Sequence, residues 1–250
     1  MTKFNNQVVL VTGGGAGIGL SAASTFAKQG ARVVITGRRQ EALEQSVRTA
    51  SGIDYIVADA GNPSDATRTI DELIRRHGRL DVLVNNAGAG AVLPLSQANF
   101  AQINEIFSVN VIGPSLLATA ALPYLKQSGG TIVNVTSTFG HKAAEALSHY
   151  AASKAALEHM TKCWALELAS DGIRVNAVAA GPTESDFLSE RMKLSAQQIE
   201  NIKASERARI PLGRRGLPDD VAGWIVALAS PDAAWVTGQV FAIDGGLSVT

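Results

Sequence analysis

The chain predicts a doubly wound α/β fold, a single domain built on a parallel sheet of about seven strands with helices on both faces. Three observations carry this expectation. Short β-branched runs recur along the whole length, each is apolar at consecutive rather than alternate positions, and longer alanine- and leucine-rich stretches separate them. Unbroken apolarity over a few residues suits strands buried on both faces. Repeated strand–helix alternation then puts covering helices on both sides of the sheet, through right-handed crossovers.

The elements follow in order. Val8–Val11 leads through a glycine-rich turn into a helix over Ile18–Gln29, and Arg32–Thr36 leads into Gln40–Ala50. Asp54–Val57 is followed by Pro63–His77, and Val82–Asn85 by a long helix over Phe100–Leu125. Thr131–Thr136 precedes His149–Ala169, and Arg174–Val178 forms the sixth strand. Ala179–Arg215 then has mixed polarity and no strand, with one or two short helices expected within Asp186–Arg207. Asp219–Ala229 and Val240–Ile243 complete the set. No linker, low-complexity tract or composition shift divides residues 1–250, so the excursion at about 183–213 reads as a substrate lid on one domain.

Composition excludes several classes. The chain is 46% hydrophobic and 18% charged, which is globular rather than disordered. Its 22 basic residues balance 22 acidic ones, so it lacks the basic footprint of a nucleic-acid or anionic-membrane binder. Cys163 stands alone and cannot form an intrachain disulfide, which favours a reducing compartment. No apolar run reaches membrane-spanning length, and Met1–Gln7 has no signal-peptide core, so a cytoplasmic protein is expected. His77, His141, His149 and His159 lack metal-ligand spacing with Cys163, and no metal site is expected.

The turn after the first strand is Thr12-Gly13-Gly14-Gly15-Ala16-Gly17-Ile18-Gly19. This is T-G-x-x-x-G-x-G, with Gly13, Gly17 and Gly19 at the key positions. A tight turn, backbone N–H groups free to approach a pyrophosphate and a helix N-terminus facing its charge are what a dinucleotide needs. A carboxylate about 20 residues further on would bind the adenosine ribose. Here Gly37 occupies that place, followed by Arg38 and Arg39. Removing the carboxylate removes the repulsion of a 2′-phosphate, and a guanidinium pairs with that phosphate bidentately. A charge-assisted bond of about 1.5–3 kcal/mol is enough for at least tenfold selectivity. NADP(H) is therefore expected in preference to NAD(H).

Four positions downstream form a chemical set. Tyr150 and Lys154 are spaced i, i+4, on one face of a helix. Ser137 ends the fifth strand, and Asn110 is an amide flanked by valines, costly to bury unless it binds something. A tyrosine of pKa about 10 is a poor acid–base group at neutral pH, but a nearby ammonium favours the phenolate.

These residues resemble those of the short-chain dehydrogenase/reductase family over essentially the whole chain. The matching segments are Thr12–Gly19, Asp59, Asn85-Asn86-Ala87-Gly88, Asn110, Ser137, Tyr150-Ala-Ala-Ser-Lys154, Gly181-Pro182 and Ile243-Asp244-Gly245-Gly246. The resemblance implies a Rossmann-type fold and assigns roles. Tyr150 would be the acid–base, and Lys154 would hold the nicotinamide ribose and lower the Tyr150 pKa. Ser137 would bind the substrate oxygen, and Asn110 would hold a relay water. Gly13, Gly15, Gly17, Ile18 and Gly19 would cradle the pyrophosphate. Asp59 and Ala60 would contact adenine, and Asn86, Ala87 and Gly88 the adenosine-side ribose. Gly181, Pro182 and Thr183 would hold the nicotinamide amide, with Ser185 standing where a threonine is frequent. Ala16 departs from the basic residue common at this position in NADP-preferring members, leaving the phosphate to Arg38 and Arg39. Ala180 replaces the usual proline of Pro-Gly, and Thr136 a frequent serine.

The resemblance implies NADPH-dependent reduction of a ketone to a secondary alcohol, reversible in principle. Pocket walls are expected from Ala89–Leu95, Thr138–Leu147 and Ser185–Ile210. Within them Leu93, Phe139, Leu147, Phe187, Leu188 and Met192 either line an apolar cavity or belong to the core. His141 and Lys142 lie at the surface or touch the substrate. Reduction of a 3-oxoacyl thioester on a carrier protein is an alternative and needs a basic docking patch, for which Arg207, Arg209, Arg214 and Arg215 are candidates. A catalytically silent NADP(H)-binding protein is another. A homotetramer is implied, through the helices at Phe100–Leu125 and His149–Ala169 and the C-terminal segments, near which Trp164, Trp224 and Trp235 lie.

Overall fold

Seven parallel strands form one sheet in the order β3-β2-β1-β4-β5-β6-β7 in the computed structural model, which describes residues 2–250. The strands are β1 (Val8–Thr12), β2 (Arg32–Gly37), β3 (Ile53–Val57), β4 (Val82–Asn85), β5 (Thr131–Ser137), β6 (Arg174–Ala180) and β7 (Val240–Ile243). The helices are α1 (Gly17–Lys28), α2 (Gln40–Thr49), α3 (Pro63–His77), α4 (Phe100–Phe107), α5 (Gly113–Ser128), α6 (Ser148–Leu168), α7 (Ala196–Arg209) and α8 (Pro218–Ala229). Strand order reverses between β1 and β4, so the carboxyl ends of these strands part and open a crevice where ligands of such sheets bind.

Consecutive apolarity has the predicted cause. Val9 and Val11 of β1 enter one core with Phe26 of α1, Ile35 of β2 and Ile225 of α8. Val8 and Leu10, alternating with them, enter the opposite core with Leu73 of α3, Leu125 of α5 and Ile132 of β5. Neighbouring side chains of one strand thus go to different faces, and both faces are dry.

Local chemistry sets the helix ends. Asn62 caps α3 by accepting from the Ser64 N–H at 3.2 Å, Pro63 occupies its first turn, and Gly78 ends it at φ 73°. Ser195 and Gln198 make a reciprocal capping box at the start of α7.

Two elements differ from the sequence reading. The helix expected at Phe100–Leu125 is a rod over Phe100–Ser128 whose middle, Ser108–Ile112, is a π-helical turn. Asn110 sits in that wider turn and turns its amide inward. The rod is long and apolar enough to cross a membrane, which scanning for apolar runs did not anticipate. Its Leu117, Ala118, Ala121 and Leu125 nevertheless lie in the core beneath the sheet. After β6 the chain makes a π-helical turn at Phe187–Arg191 and then α7, none of whose residues is fully buried. This excursion leaves and returns at one place. Thr183 and Gly216 form a parallel bridge, with the Glu184 N–H donating to the Gly216 carbonyl at 2.8 Å and the Gly216 N–H to Pro182 at 2.9 Å.

Candidate active site

The carboxyl ends of β1 and β4 are laced together by one hydroxyl. Thr12 Oγ1 accepts from the backbone N–H groups of Asn86 at 3.0 Å and Ala87 at 2.9 Å. Asn86 Nδ2 in turn donates to the Thr12 carbonyl at 2.8 Å. Gly13 takes a left-handed φ of 64° to leave the strand. A Cβ on Gly19 would stand 2.4 Å from the Gly13 carbonyl oxygen, so α1 can approach the turn this closely only with glycine there.

The first turn of α1 carries no acidic residue, and Ala16 at its N-cap offers no side-chain cap. Its free N–H groups and the positive end of the helix dipole therefore face a cavity of about 770 Å3, lined by Gly13, Gly15, Ala16, Gly17, Ile18 and Gly19. An uncapped helix start, a glycine cradle and a cavity of this size fit a dinucleotide pyrophosphate. The loop after β6 lies across the turn, because a Cβ on Gly17 would be 3.3 Å from Ser185 Cβ. Asn86, Ala87, Gly88, Gly181, Pro182, Thr183 and Ser185 line the same cavity.

Arg38 and Arg39 also line it. Arg38 Nη1 stands 3.9 Å from Asp59 Oδ2, and Arg39 Nη1 bonds Glu190 Oε1 at 2.5 Å. Asp59 and Ala60 line a small separate cleft of about 30 Å3 beside the main one. There Asp59 Oδ1 accepts from the Gly61 N–H at 2.9 Å.

Four further residues converge behind these. Ser137, Tyr150 and Lys154 are 5%, 8% and 4% exposed, and Asn110 is wholly buried. A polar ladder fixes α6 to the strand ends: Asn85 Nδ2 donates to Asn134 Oδ1, and Asn134 Nδ2 to Thr161 Oγ1, each at 2.9 Å. Lys154 Nζ donates to the Val135 carbonyl at 3.0 Å and stands 5.9 Å from the centre of the Tyr150 ring. Asn110 Oδ1 accepts from the Ala89 N–H at 2.8 Å, while Nδ2 donates to the Ala89 carbonyl at 2.8 Å and to Ser153 Oγ at 2.9 Å. A Cβ on Gly88 would stand 3.6 Å from both Asn110 Oδ1 and Lys154 Nζ.

Burial governs the titration of this group. It lowers the Lys154 ammonium to about 8, opposed by the negative charge of Glu158 one turn further along α6. It also pushes the Tyr150 phenol above its usual value, with the neighbouring Ser137 hydroxyl pulling the other way. Desolvation of the phenolate thus opposes the lowering of the Tyr150 pKa expected from Lys154.

The remaining expectations divide. Phe139, Leu147, Phe187, Leu188 and Met192 line the cavity, whereas Leu93 is core. His141 Nδ1 lies 3.5 Å from Glu158, and Lys142 bonds the carbonyl of Thr250, so both are engaged outside the cavity wall. The proposed basic patch is reduced. Arg215 is buried, donating to the Thr183 carbonyl at 2.6 Å and paired with Glu184 and Glu206. Arg214 is held by Asp220 at 2.6 Å. Of the four candidate arginines, only Arg207 and Arg209 have no ion pair among the described residues. Glu190, Arg191, Ile202 and Glu206 line the cavity and were not singled out from sequence, because nothing in their spacing marks which residues of an irregular excursion turn inward.

Fold and site together define an oxidoreductase that works on CH–OH or C=O groups with a bound dinucleotide. Comparison with known proteins agrees. The profile of a family described as "Enoyl-(Acyl carrier protein) reductase" matches residues 13–248. The chain is 37% identical to the 3-oxoacyl-[acyl-carrier-protein] reductase FabG of Thermotoga maritima, over 99% of this chain and 100% of that one. It is 35% identical to 2-(S)-hydroxypropyl-CoM dehydrogenase 3 of Xanthobacter autotrophicus, over 98% of each. A crystal structure of a Caenorhabditis elegans short-chain dehydrogenase/reductase of unknown function, solved with cofactor, superposes with a TM-score of 0.91 at 32% identity, covering 99% of this chain and 97% of that one. The chain belongs to the short-chain dehydrogenase/reductase family, whose members use a nicotinamide cofactor, NAD or NADP.

Proposed function

We propose that this protein is an NADPH-dependent carbonyl reductase that converts a small or medium apolar ketone to a secondary alcohol, reversibly. The observation that carries the reading is the placement of a buried Tyr150 beside Ser137 and Lys154, in a cavity to which Phe139, Leu147, Phe187, Leu188 and Met192 give apolar wall. The cofactor's pyrophosphate would lie on the glycine turn and its nicotinamide end near Gly181–Thr183. Arg38 and Arg39, at the end of β2 where a carboxylate would select NAD, would take the adenosine phosphate. When bound, the nicotinamide supplies the hydride that reduces the carbonyl carbon.

The protein's own groups do the rest. Ser137 Oγ donates a hydrogen bond to the substrate oxygen, and Tyr150 gives that oxygen its phenolic proton. Together they stabilise the charge that develops there, in a site screened from water. A raised phenol pKa suits the reductive direction, because Tyr150 starts protonated. Lys154 would hold the nicotinamide ribose as an ammonium and stabilise the phenolate left on Tyr150. Asn110 fixes Ala89 and, with Lys154, frames Gly88. Of the four hydrogen bonds its amide can make, three go to Ala89 and Ser153, which leaves one Oδ1 lone pair for a relay water.

The excursion at about 183–213 acts in this reading as the lid of a single-domain enzyme, placing Phe187 6.1 Å from Tyr150 between ring centres. Highly exposed Phe100, Leu166 and Trp235 supply apolar surface for a homotetramer. The exposed free thiol of Cys163 suits a reducing cytoplasm.

A second reading, reduction of a 3-oxoacyl thioester on a carrier protein, is favoured by the named activity of the Thermotoga relative. Sequestration of Arg214 and Arg215 weakens it, leaving Arg207 and Arg209 as exposed docking cations. Loss of reduced-nicotinamide absorbance separates the readings, with NADPH or NADH and a panel of aliphatic ketones, aryl ketones and an acetoacetyl thioester. Turnover of simple ketones with NADPH supports the proposal. Preference for the thioester promotes the second reading, and preference for NADH overturns the role of Arg38. Tight NADPH binding with no turnover across the panel points to a silent binding protein.

A further inference from the structure

We propose that Arg191, on the excursion after β6, is a third guanidinium for the adenosine 2′-phosphate, standing in for the cation that the glycine turn lacks at Ala16. The inference rests on the NADPH reading above and deepens it.

Arg38 and Arg39 are each already matched with a carboxylate, Asp59 at 3.9 Å and Glu190 at 2.5 Å. Arg191 lines the same cavity and directly follows Glu190, at the end of the π-helical turn Phe187–Arg191. The Arg39–Glu190 pair therefore ties this turn to the end of β2. Among the described residues Arg191 has no carboxylate within ion-pair distance, although its side chain is partly buried. Burial and the neighbouring charges of Arg38 and Arg39 disfavour its charged form, against weaker help from Glu190 and Asp59.

Three guanidiniums thus share two carboxylates, leaving one positive charge uncompensated in a partly desolvated place. An unpaired guanidinium there is costly, and a doubly charged phosphate with three acceptor oxygens removes the cost. The position favours the cofactor over the substrate. Met192, the next residue, packs beside Gly90 and Tyr150, since a Cβ on Gly90 would be 3.2 Å from Met192 Cε and from Tyr150 Cδ2. Arg191 instead adjoins Glu190, which bonds Arg39 at 2.5 Å at the end of β2, where the adenosine ribose of such folds lies.

Equilibrium titration of the intact protein tests this. NADPH, NADH, 2′,5′-ADP and 5′-ADP would be titrated calorimetrically into wild type, Arg191→Gln, Arg191→Lys and Arg38→Gln. The expected result is that Arg191→Gln weakens NADPH and 2′,5′-ADP by at least about tenfold while NADH and 5′-ADP change by less than about twofold. Arg191→Lys, which keeps the charge but loses the fork, should fall between. Equal weakening of phosphorylated and unphosphorylated ligands overturns the assignment, as does no weakening of either. If wild type binds NADH as tightly as NADPH, the underlying NADPH reading fails. If Arg38→Gln abolishes a clear NADPH preference that Arg191→Gln leaves intact, this inference alone fails.

Discussion

Asn110 grips Ala89 by both of its backbone polar atoms, accepting from the N–H and donating to the carbonyl at 2.8 Å each. A residue in the middle of a helical rod thereby fixes the chain leaving β4, some twenty positions earlier. The π-helical turn at Ser108–Ile112 is the local distortion that accompanies this contact. Substituting Asn110 by alanine leaves two buried backbone groups without partners. Stability should fall by about 2–4 kcal/mol, read as a lower urea midpoint at unchanged slope. A midpoint equal to wild type would mean that the Ala89 groups find water instead.

Tyr150→Phe keeps the ring packed against Phe187 and removes only the hydroxyl. Turnover should drop by about 10²–10⁴-fold, while NADPH affinity measured by titration stays near wild type. Substantial turnover in this variant would remove Tyr150 from the chemistry.

The depressed Lys154 pKa of about 8 has consequences of definite sign. Below that pH the ammonium is present, and above it the group loses the charge proposed to hold the ribose hydroxyls and to support Tyr150. The reductive kcat/KM should therefore fall on an alkaline limb near pH 8. Glu158 favours the ammonium, so Glu158→Gln should move the limb to lower pH. A limb that does not move would assign it to another group. Stability runs the opposite way. The unfolded chain holds the Lys154 proton up to about 10.5, so burial's penalty is full below pH 8 and is relieved as pH rises towards 10.5. Lys154→Met should remove this rise from the pH dependence of unfolding.

Arg215 joins the end of β6 to α7, through the Thr183 carbonyl, Glu184 and Glu206. Arg215→Ala leaves Glu206 without its buried partner and Glu184 with Lys203 alone, and a loss of about 3 kcal/mol is expected. Proteolysis should then concentrate between residues 186 and 209, observed as early cleavage products by mass spectrometry. Cleavage spread evenly over the chain would mean that Arg215 stabilises the whole fold and not this junction.

The inner strands were legible because each alternates between two dry cores and so carries an unbroken apolar signature. Val8–Thr12 is an example, with neighbours assigned to opposite faces. The i, i+4 spacing placed Tyr150 and Lys154 on one buried helix face, as found. What escaped depends on contacts remote in sequence. The π-helical turn accompanies the hold of Asn110 on Ala89, which no local periodicity records. The burial of Arg215 depends on Glu206, across an irregular segment. The titration of Tyr150 is set by how dry its surroundings are, and spacing to Lys154 says nothing of that.

The ion pair between Arg39 and Glu190 joins the turn after β2 to the segment that walls the far side of the cavity. Anyone transplanting residues 184–215 from a relative, to change which alcohols or ketones are accepted, would also remove the acid facing Arg39. If Arg39 takes the adenosine phosphate as proposed, such a chimaera would alter nucleotide choice without a single change in the glycine turn or β2. On the proposed role of Arg39, this ion pair joins the two specificities mechanically, and they would have to be redesigned as one unit.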